Sequence, residues 1–397
     1  MNQLSDRLNA LSPSATLAMA QKSNELQAQG IDVINLSLGE PDFNTPDHIK
    51  QAAKDAVDKN FSFYSPVPGF MTLRKAIAEK MKNENGLDYK SEQILCSNGA
   101  KQSVCNVILA IINKGDEVII PAPYWVSYPE MVKLADGTNV FINAPIEQDF
   151  KITPAQLEAA ITPKTKAIIL CSPSNPTGSV YSKEELKGLV DVLVKYPQVV
   201  VISDEIYEHI SYVGKHESIA QFPEIFDRVV IVNGVAKAYA MTGWRIGFIA
   251  APQYIIGACN KLQGQYTSGP CSVSQKAAEA AYTGTQEPVR EMQKAFLRRR
   301  DLAVKLMKDI DGLKVSVPEG AFYVFPDCSS FFGKSFEGRT IKDGDSLAMY
   351  LLEVAHVACV GGNDFGDPNC IRLSYAVSDE KLAEAIERIK KALANLK

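Results

Sequence analysis

Between residue 94 and about residue 250 the chain alternates short apolar runs with stretches whose apolar residues recur at helical spacing. The runs at 94–96, 118–120, 167–170, 199–203, 229–232 and 246–250 are a few residues long and flanked by polar or turn-forming residues, as buried strands are. Between the first two, Val104, Val107, Ile108, Ile111 and Ile112 fall on one face of a helix. This alternation predicts an α/β fold with a doubly wound, largely parallel sheet. In such sheets ligands sit beyond the carboxyl ends of the strands, so the residues that follow each strand belong together.

The flanking sequence reads differently. A helix is expected from Pro13-Ser14-Ala15-Thr16 to Gln29, where Gly30 stops it, then a short strand at 33–36 and a helix over 46–59. Phe63-Tyr64-Ser65-Pro66-Val67-Pro68-Gly69 reads as a loop with an exposed tyrosine, followed by a helix through Leu73, Ile77 and Met81 that ends at Asn85-Gly86. Gly284 and Pro288 mark a break at the start of a long helix over 287–311. Beyond it, the few strand-like segments around Phe322-Tyr323-Val324-Phe325 and Ile371-Arg372-Leu373-Ser374-Tyr375, with a last helix through Leu382, Ile386, Ile389 and Leu393, suit a smaller α+β domain. The expected division is a large domain over 46–289 and a small domain made from 1–45 and 290–397.

Composition narrows the function. With 46% hydrophobic and 22% charged residues, 397 residues can bury a large core. Lys plus Arg is 42 and Asp plus Glu is 46, giving 42 − 46 = −4 with no long block of one sign, so nucleic acid is not an expected partner. Arg298-Arg299-Arg300 is read as a solvated helix face. The eight cysteines are scattered without Cys-x-x-Cys or Cys/His ligand spacing, and read as reduced core residues with no metal site. No apolar run reaches membrane-spanning length and the first residues lack a signal-peptide core, so no membrane contact and a cytoplasmic location are expected.

Chemistry gathers at the predicted strand ends. In Ala236-Lys237-Ala238-Tyr239-Ala240-Met241-Thr242-Gly243-Trp244-Arg245-Ile246-Gly247, Lys237 can form a Schiff base and Arg245 can hold a phosphate on the same ligand. Ser97-Asn98-Gly99-Ala100-Lys101 opens a helix whose free N–H groups and positive dipole end suit a phosphate. The loop at 172–178 presents Asn175, and Asp204 and Tyr207 follow the strand at 199–203; the Tyr124-Trp125 pair lies nearby. Singly, each has an ordinary role: Trp125 a core aromatic, Asp204 a helix cap, Arg372 half of a surface ion pair. Together, an amine, a carboxylate and phosphate donors describe a pyridoxal 5'-phosphate site, because an aspartate facing the ring nitrogen favours the protonated ring.

Across essentially its whole length the sequence resembles the class I aminotransferases of fold type I, and within them the bacterial aspartate aminotransferase subgroup. The motifs are Pro13-Ser14-Ala15-Thr16, Gly39-Glu40-Pro41-Asp42-Phe43, Tyr64, Gly99-Ala100-Lys101-Gln102, Pro123-Tyr124-Trp125-Val126-Ser127-Tyr128-Pro129, Asn175-Pro176-Thr177-Gly178, Ser203-Asp204-Glu205-Ile206-Tyr207, the 237–247 stretch and Ile371-Arg372-Leu373-Ser374-Tyr375-Ala376. The resemblance implies a seven-stranded type of sheet, a homodimer with shared sites, and transfer of an amino group from L-aspartate to 2-oxoglutarate. It implies that Lys237 holds the coenzyme and shuttles a proton, that Asp204 pairs with the ring nitrogen, and that Tyr207 and Asn175 bind the ring hydroxyl oxygen. Trp125 would stack on the ring. Arg245, the backbone at Gly99, Ala100 and Lys101, and Tyr64 from the second subunit would hold the phosphate. Arg372 would grip the substrate α-carboxylate, assisted by Asn175 and Gly39.

Two departures from that pattern carry information. Ala236 stands where many relatives have serine. Gln263-Gly264-Gln265-Tyr266 stands where the other branch of aspartate aminotransferases supplies an arginine for the distal carboxylate, so Lys101, with Ser14 and Thr16, becomes the candidate for that contact. Use of prephenate or aromatic substrates, a lyase of the same fold, and the regulator architecture in which this fold follows a DNA-binding domain are the competing readings. No basic helical module supports the last.

Overall fold

The computed structural model describes residues 4–13 and 15–397, so Ser14 lies outside the described residues. Its centre is a seven-stranded sheet in the order Ile94–Ser97, Gly247–Ala250, Val229–Gly234, Val200–Asp204, Thr165–Cys171, Glu117–Ala122, Thr138–Asn143. Gly247–Ala250 runs antiparallel to both neighbours and the remaining pairings are parallel. The six expected strands are all present. Thr138–Asn143 is the seventh, missed because half of its residues are polar; its apolar Val140-Phe141-Ile142 lies on an edge strand with one side in water, where Phe141 is exposed. Apolar clusters cover both faces of the sheet, one including Ile119, Ile168, Val201 and Ile231, the other Val118, Ile169, Ile202 and Val230. Neighbouring residues of one strand thus feed opposite layers, which is why these strands read as unbroken apolar runs.

The expected helices form at Ala15–Ala28, Asp47–Asp58, Met71–Lys80, Ala100–Ile111, Glu287–Lys308 and Asp379–Ala394. Met81–Asn85 continues the third of these as a π-helical turn, closed by Gly86 at φ 72°. A three-stranded antiparallel sheet of Val360–Gly361, Ile371–Ser374 and Tyr323–Val324, and a parallel pair of Ile34–Asn35 with Val357–Ala358, carry the rest. A separate apolar cluster joins Val33, Ile34 and Leu36 to Phe296, Phe322, Leu347, Leu382 and Ile386, so residues from both ends of the chain share one core.

Two expectations are corrected. The arginine run is only in part a solvated face: Arg298 is exposed and forks onto Asp379 at 2.6 and 3.0 Å, but Arg299 is buried and forks onto both oxygens of Asp42 at 2.7 and 2.9 Å. Arg300 donates to the Pro318 carbonyl at 2.5 Å beneath the Tyr212 ring. A planar guanidinium satisfies two acceptors at once, so Arg299 also donates through Nε to Asp379 at 3.2 Å and links the two aspartates. Cys271 is exposed, whereas Cys96, Cys259, Cys328, Cys359 and Cys370 are buried.

Behind the segment that follows Val200–Asp204 lies a buried ionic network. Lys80 is buried and pairs with the buried carboxylate of Glu208, which also accepts from Asn85 at 2.8 Å. Glu205 accepts from Ser203 at 2.8 Å, Ser218 at 2.6 Å and His216 at 2.9 Å. Burial, the largest single effect, would push the Glu208 carboxyl up, but the charges of Lys80, His209 and His216 and the hydrogen bond from Lys80 together outweigh it and hold the group below the usual carboxylate range. The stability this confers is present above the unfolded-state value of ~4.3 and is lost as pH falls through the depressed folded-state value. Removing one partner strands the other charge. Lys80→Met is therefore expected to lower unfolding free energy in urea by ~3–5 kcal/mol, and the double variant Lys80→Met/Glu208→Leu to regain part of that loss. Equal loss in single and double variants would contradict the pairing.

Candidate active site

The strand ends deliver their side chains to one cavity of about 390 Å3, lined among others by Lys237, Asp204, Tyr207, Asn175, Trp125 and Arg372. Lys237 follows Val229–Gly234, and its Nζ donates to the carbonyl of Gly39 and lies 5.7 Å from the Tyr207 ring centroid. Burial, then the positive charge of Arg372, lowers its amine to about 8. Asp204 ends its strand, with Oδ2 accepting from the Tyr128 hydroxyl at 2.7 Å and Oδ1 from the Ile206 N–H at 3.2 Å. Burial raises its carboxyl to about 6 in spite of these donors. The side chains of 204 and 207 face the cavity while Glu205 and Glu208 face the ionic network, so a single turn of chain is gripped from behind.

The other end of the cavity is built for an anion. Ala100–Ile111 begins there with Gly99 as its N-cap, at φ 83° and ψ 158°, a conformation that favours glycine. A helix leaves its first N–H groups without intrahelical acceptors, and Gly99 has no side chain to occupy them. Arg245 lies against this end: a Cβ on Gly99 would stand 2.3 Å from its Nη2. Its guanidinium is steadied by the carbonyls of Thr242 at 2.7 Å and Asn98 at 3.3 Å. Gly247 allows the approach, since a Cβ there would meet the Ala100 nitrogen at 2.2 Å. The glycines spaced around the arginine are thus explained by crowding of strand against helix terminus.

Arg372 comes from the three-stranded sheet and is 1% exposed. Nη1 donates to Asn175 Oδ1 at 3.0 Å and Nη2 to the Ser37 carbonyl at 2.6 Å, while Nε is buried without a partner. The guanidinium lies 4.6 Å from the Tyr323 ring centroid and 4.9 Å from that of Phe365. Lys101 Nζ sits 5.0 Å from the Trp125 ring centroid, and Thr16 lines the mouth. The Gly39 loop is held in place by Thr242 Oγ1 donating to Glu40 at 2.9 Å and by the Arg299 fork on Asp42.

Not every candidate converges. Tyr64 is 97% exposed and lies on a different surface, beside Phe63, Pro270 and Cys271. Tyr124 turns away from the cavity and stacks on Phe141 at 5.0 Å. Gln263 is fully buried, donating to the carbonyls of Val67 and Cys96 and accepting from Asn106, so it faces no substrate. Sequence reasoning missed Tyr128, which tethers Asp204, and Tyr323, which meets the Tyr207 hydroxyl at 2.7 Å. Both sit among other aromatics, where spacing does not separate a core ring from a hydrogen-bonding one. The Ser37 carbonyl is a backbone contact that no side-chain pattern signals.

The donor set fits pyridoxal 5'-phosphate. An amine of lowered basicity lies in the same cavity as a buried carboxylate, and a side-chain-free helix terminus with an arginine against it offers room and charge for a phosphate.

Comparison with known proteins agrees with this chemistry. The family described as aminotransferase class I and II matches residues 31–389. A bifunctional aspartate aminotransferase and glutamate/aspartate-prephenate aminotransferase of Petunia hybrida is 50% identical over 400 residues, covering 99% of this chain and 83% of that one. The crystal structure of the aspartate aminotransferase from Rhizobium meliloti superposes with a TM-score of 0.96 at 43% identity, covering 100% of both chains. That of the Thermus thermophilus aspartate aminotransferase with maleate gives 0.93 at 42%, covering 99% of this chain and 100% of that one.

An amine lowered to about 8 is neutral, and so nucleophilic, above that pH. Coenzyme-free protein treated with a small aldehyde and trapped with borohydride is expected to form adduct at a rate that rises with pH and levels off beyond about 8. Lys237→Ala should abolish that adduct. An inflection near the ordinary lysine value of ~10.4 would contradict the assignment.

Proposed function

The chain belongs to the class I and II aminotransferases, and from that premise we propose that it exchanges the amino group of L-aspartate with 2-oxoglutarate, giving oxaloacetate and L-glutamate. The observation that carries the reading is that Lys237, Asp204 and Arg372, from three separate parts of the chain, open on one cavity. Pyridoxal 5'-phosphate, when bound, supplies an aldehyde that takes up amino groups and a ring that accepts the electron pair left at the substrate α-carbon.

In this proposal the residues divide the work. Lys237 holds the coenzyme and then, with an amine tuned close to neutrality, removes and returns the α-proton. Asp204, kept in place by Tyr128 and the Ile206 N–H, holds the proton on the ring nitrogen. Tyr207 and Asn175 donate to the ring hydroxyl oxygen, and Trp125 covers the ring face. Gly99, Ala100, Lys101 and Arg245 hold the phosphate. The buried guanidinium of Arg372, with one N–H unpartnered, forks onto the α-carboxylate, and the neighbouring Asn175 and Gly39 complete that grip.

Lys101 is proposed to meet the second carboxylate of the substrate. Its ammonium stands beside Trp125 in the cavity that Thr16 also lines, Ser14 is proposed to add a second hydroxyl, and the Thermus relative's structure was solved with maleate, a dicarboxylate. The Petunia relative's second named activity extends the proposal to prephenate as a further acceptor. A homodimer is proposed to complete the phosphate site through Tyr64, whose exposure beside Phe63, 81% exposed, suits a partner surface. The division into 46–289 and 1–45 with 290–397, and a cytoplasmic location, are proposed with it; among the described residues no helix is long and apolar enough to cross a membrane.

Oxaloacetate is expected from aspartate only when 2-oxoglutarate or another oxo acid is present; release of ammonia without an acceptor would mean a lyase. In the same assay Lys101→Ala should lower kcat/KM for aspartate by ~10- to 100-fold and leave alanine nearly unchanged. An equal loss for both would assign Lys101 to the coenzyme instead. Mixing inactive Tyr64→Ala and Lys237→Ala subunits should restore activity in the mixed dimers, and no recovery after verified exchange would contradict a shared site.

A further inference from the structure

Tyr323 touches three parts of the chain at once. Its ring is fully buried and stands over the Arg372 guanidinium at 4.6 Å. Its hydroxyl lies 2.7 Å from the Tyr207 hydroxyl, and a Cβ on Gly39 would come within 2.5 Å of that same oxygen. The register fixes it: Tyr323 pairs with Ser374, two residues past Arg372 on the adjoining strand, so ring and guanidinium are held by one short sheet.

Resting on the reading that Tyr207 donates to the coenzyme's ring oxygen, we infer that Tyr323 is a positioning residue with two separable parts, a hydroxyl that aims the Tyr207 proton and a ring that holds Arg372. Two facing hydroxyls share one hydrogen bond and only one can donate in it. If Tyr207 spends its proton on Tyr323, none remains for the ring oxygen; when Tyr323 donates, Tyr207 is left with its proton pointing into the cavity. Hydrogen bonds in such a chain polarise one another, so a donor behind Tyr207 makes Tyr207 a better donor in front. The titratable and charged groups facing Tyr207 are Tyr323, Cys171, Arg372 and Lys237. Of these, Tyr323 is the one whose hydroxyl reaches the Tyr207 hydroxyl.

The test uses the protein with its coenzyme bound and reads the pH titration of the coenzyme's visible absorption. Tyr207→Phe is expected to move the midpoint up, because a donor to the ring oxygen has gone. Tyr323→Phe keeps the ring and loses the hydroxyl, and should move the midpoint in the same direction by ~0.5 to 1 pH unit, with KM for aspartate little changed. In the Tyr207→Phe background the same change should add nothing, since the two hydroxyls act in series. Tyr323→Leu, which also loses the ring, should in addition raise KM by ~10-fold. A midpoint unmoved by Tyr323→Phe but moved by Tyr207→Phe would overturn the inference and leave the reading of Tyr207 standing, as would full additivity of the two changes. A midpoint unmoved by Tyr207→Phe would overturn both.

Discussion

The amines of Lys101 and Lys237 and the guanidiniums of Arg245 and Arg372 open on one cavity beside the single carboxylate of Asp204, and this surplus of positive charge is what the surrounding structure has to accommodate. Arg372 is held by neutral acceptors, an asparagine oxygen and a backbone carbonyl, with aromatic faces on either side. Lys237, through burial first and the charge of Arg372 second, gives up much of its hold on a proton. Placing a second carboxylate against Arg372 would relieve the strain on both and close the grip to a substrate. The arrangement keeps a net demand for an anionic ligand, and packing, not ion pairing, sustains it.

That demand explains the architecture behind the cavity. Residues 204–208 place alternate functions on opposite sides, with Asp204 and Tyr207 forward and Glu205 and Glu208 back. The backward pair is saturated by Lys80, Asn85, Ser203, Ser218 and His216. Charges buried without such partners would draw water or neutralise, and the forward residues would lose their aim. The Gly39 loop is treated likewise, with Glu40 and Asp42 tied to Thr242 and Arg299 so that its carbonyl can meet Lys237.

Much of this was legible in the sequence because it is written in side chains at strand ends. The apolar runs located six strands of the sheet, and the residues following them supplied Asp204, Asn175, Lys237 and the Gly99 turn that the cavity brings together. What stayed hidden is what depends on context. The Thr138–Asn143 edge strand is half polar, its apolar residues limited to Val140-Phe141-Ile142. Tyr128 and Tyr323 look like any core aromatic until their hydroxyl partners are in view, and Arg298 and Arg299 look solvated until distant aspartates reach them. Tyr64 remains apart from this chain's own cavity, since one chain cannot display a contact made between two.

The long reach of the Arg372 contacts has a consequence for how the chain is made. Its bond to Ser37 spans 335 positions and its bond to Asn175 spans 197. The anion cradle, by contrast, closes over residues 98–247, and Lys237 and Asp204 lie inside that interval. During synthesis from the N-terminus, at ~5–20 residues per second, the residues proposed to hold a coenzyme emerge well before the arginine proposed to grip a substrate. The Arg372 contacts therefore cannot form until nearly all of the chain has been made, whereas every residue of the anion cradle is available much earlier.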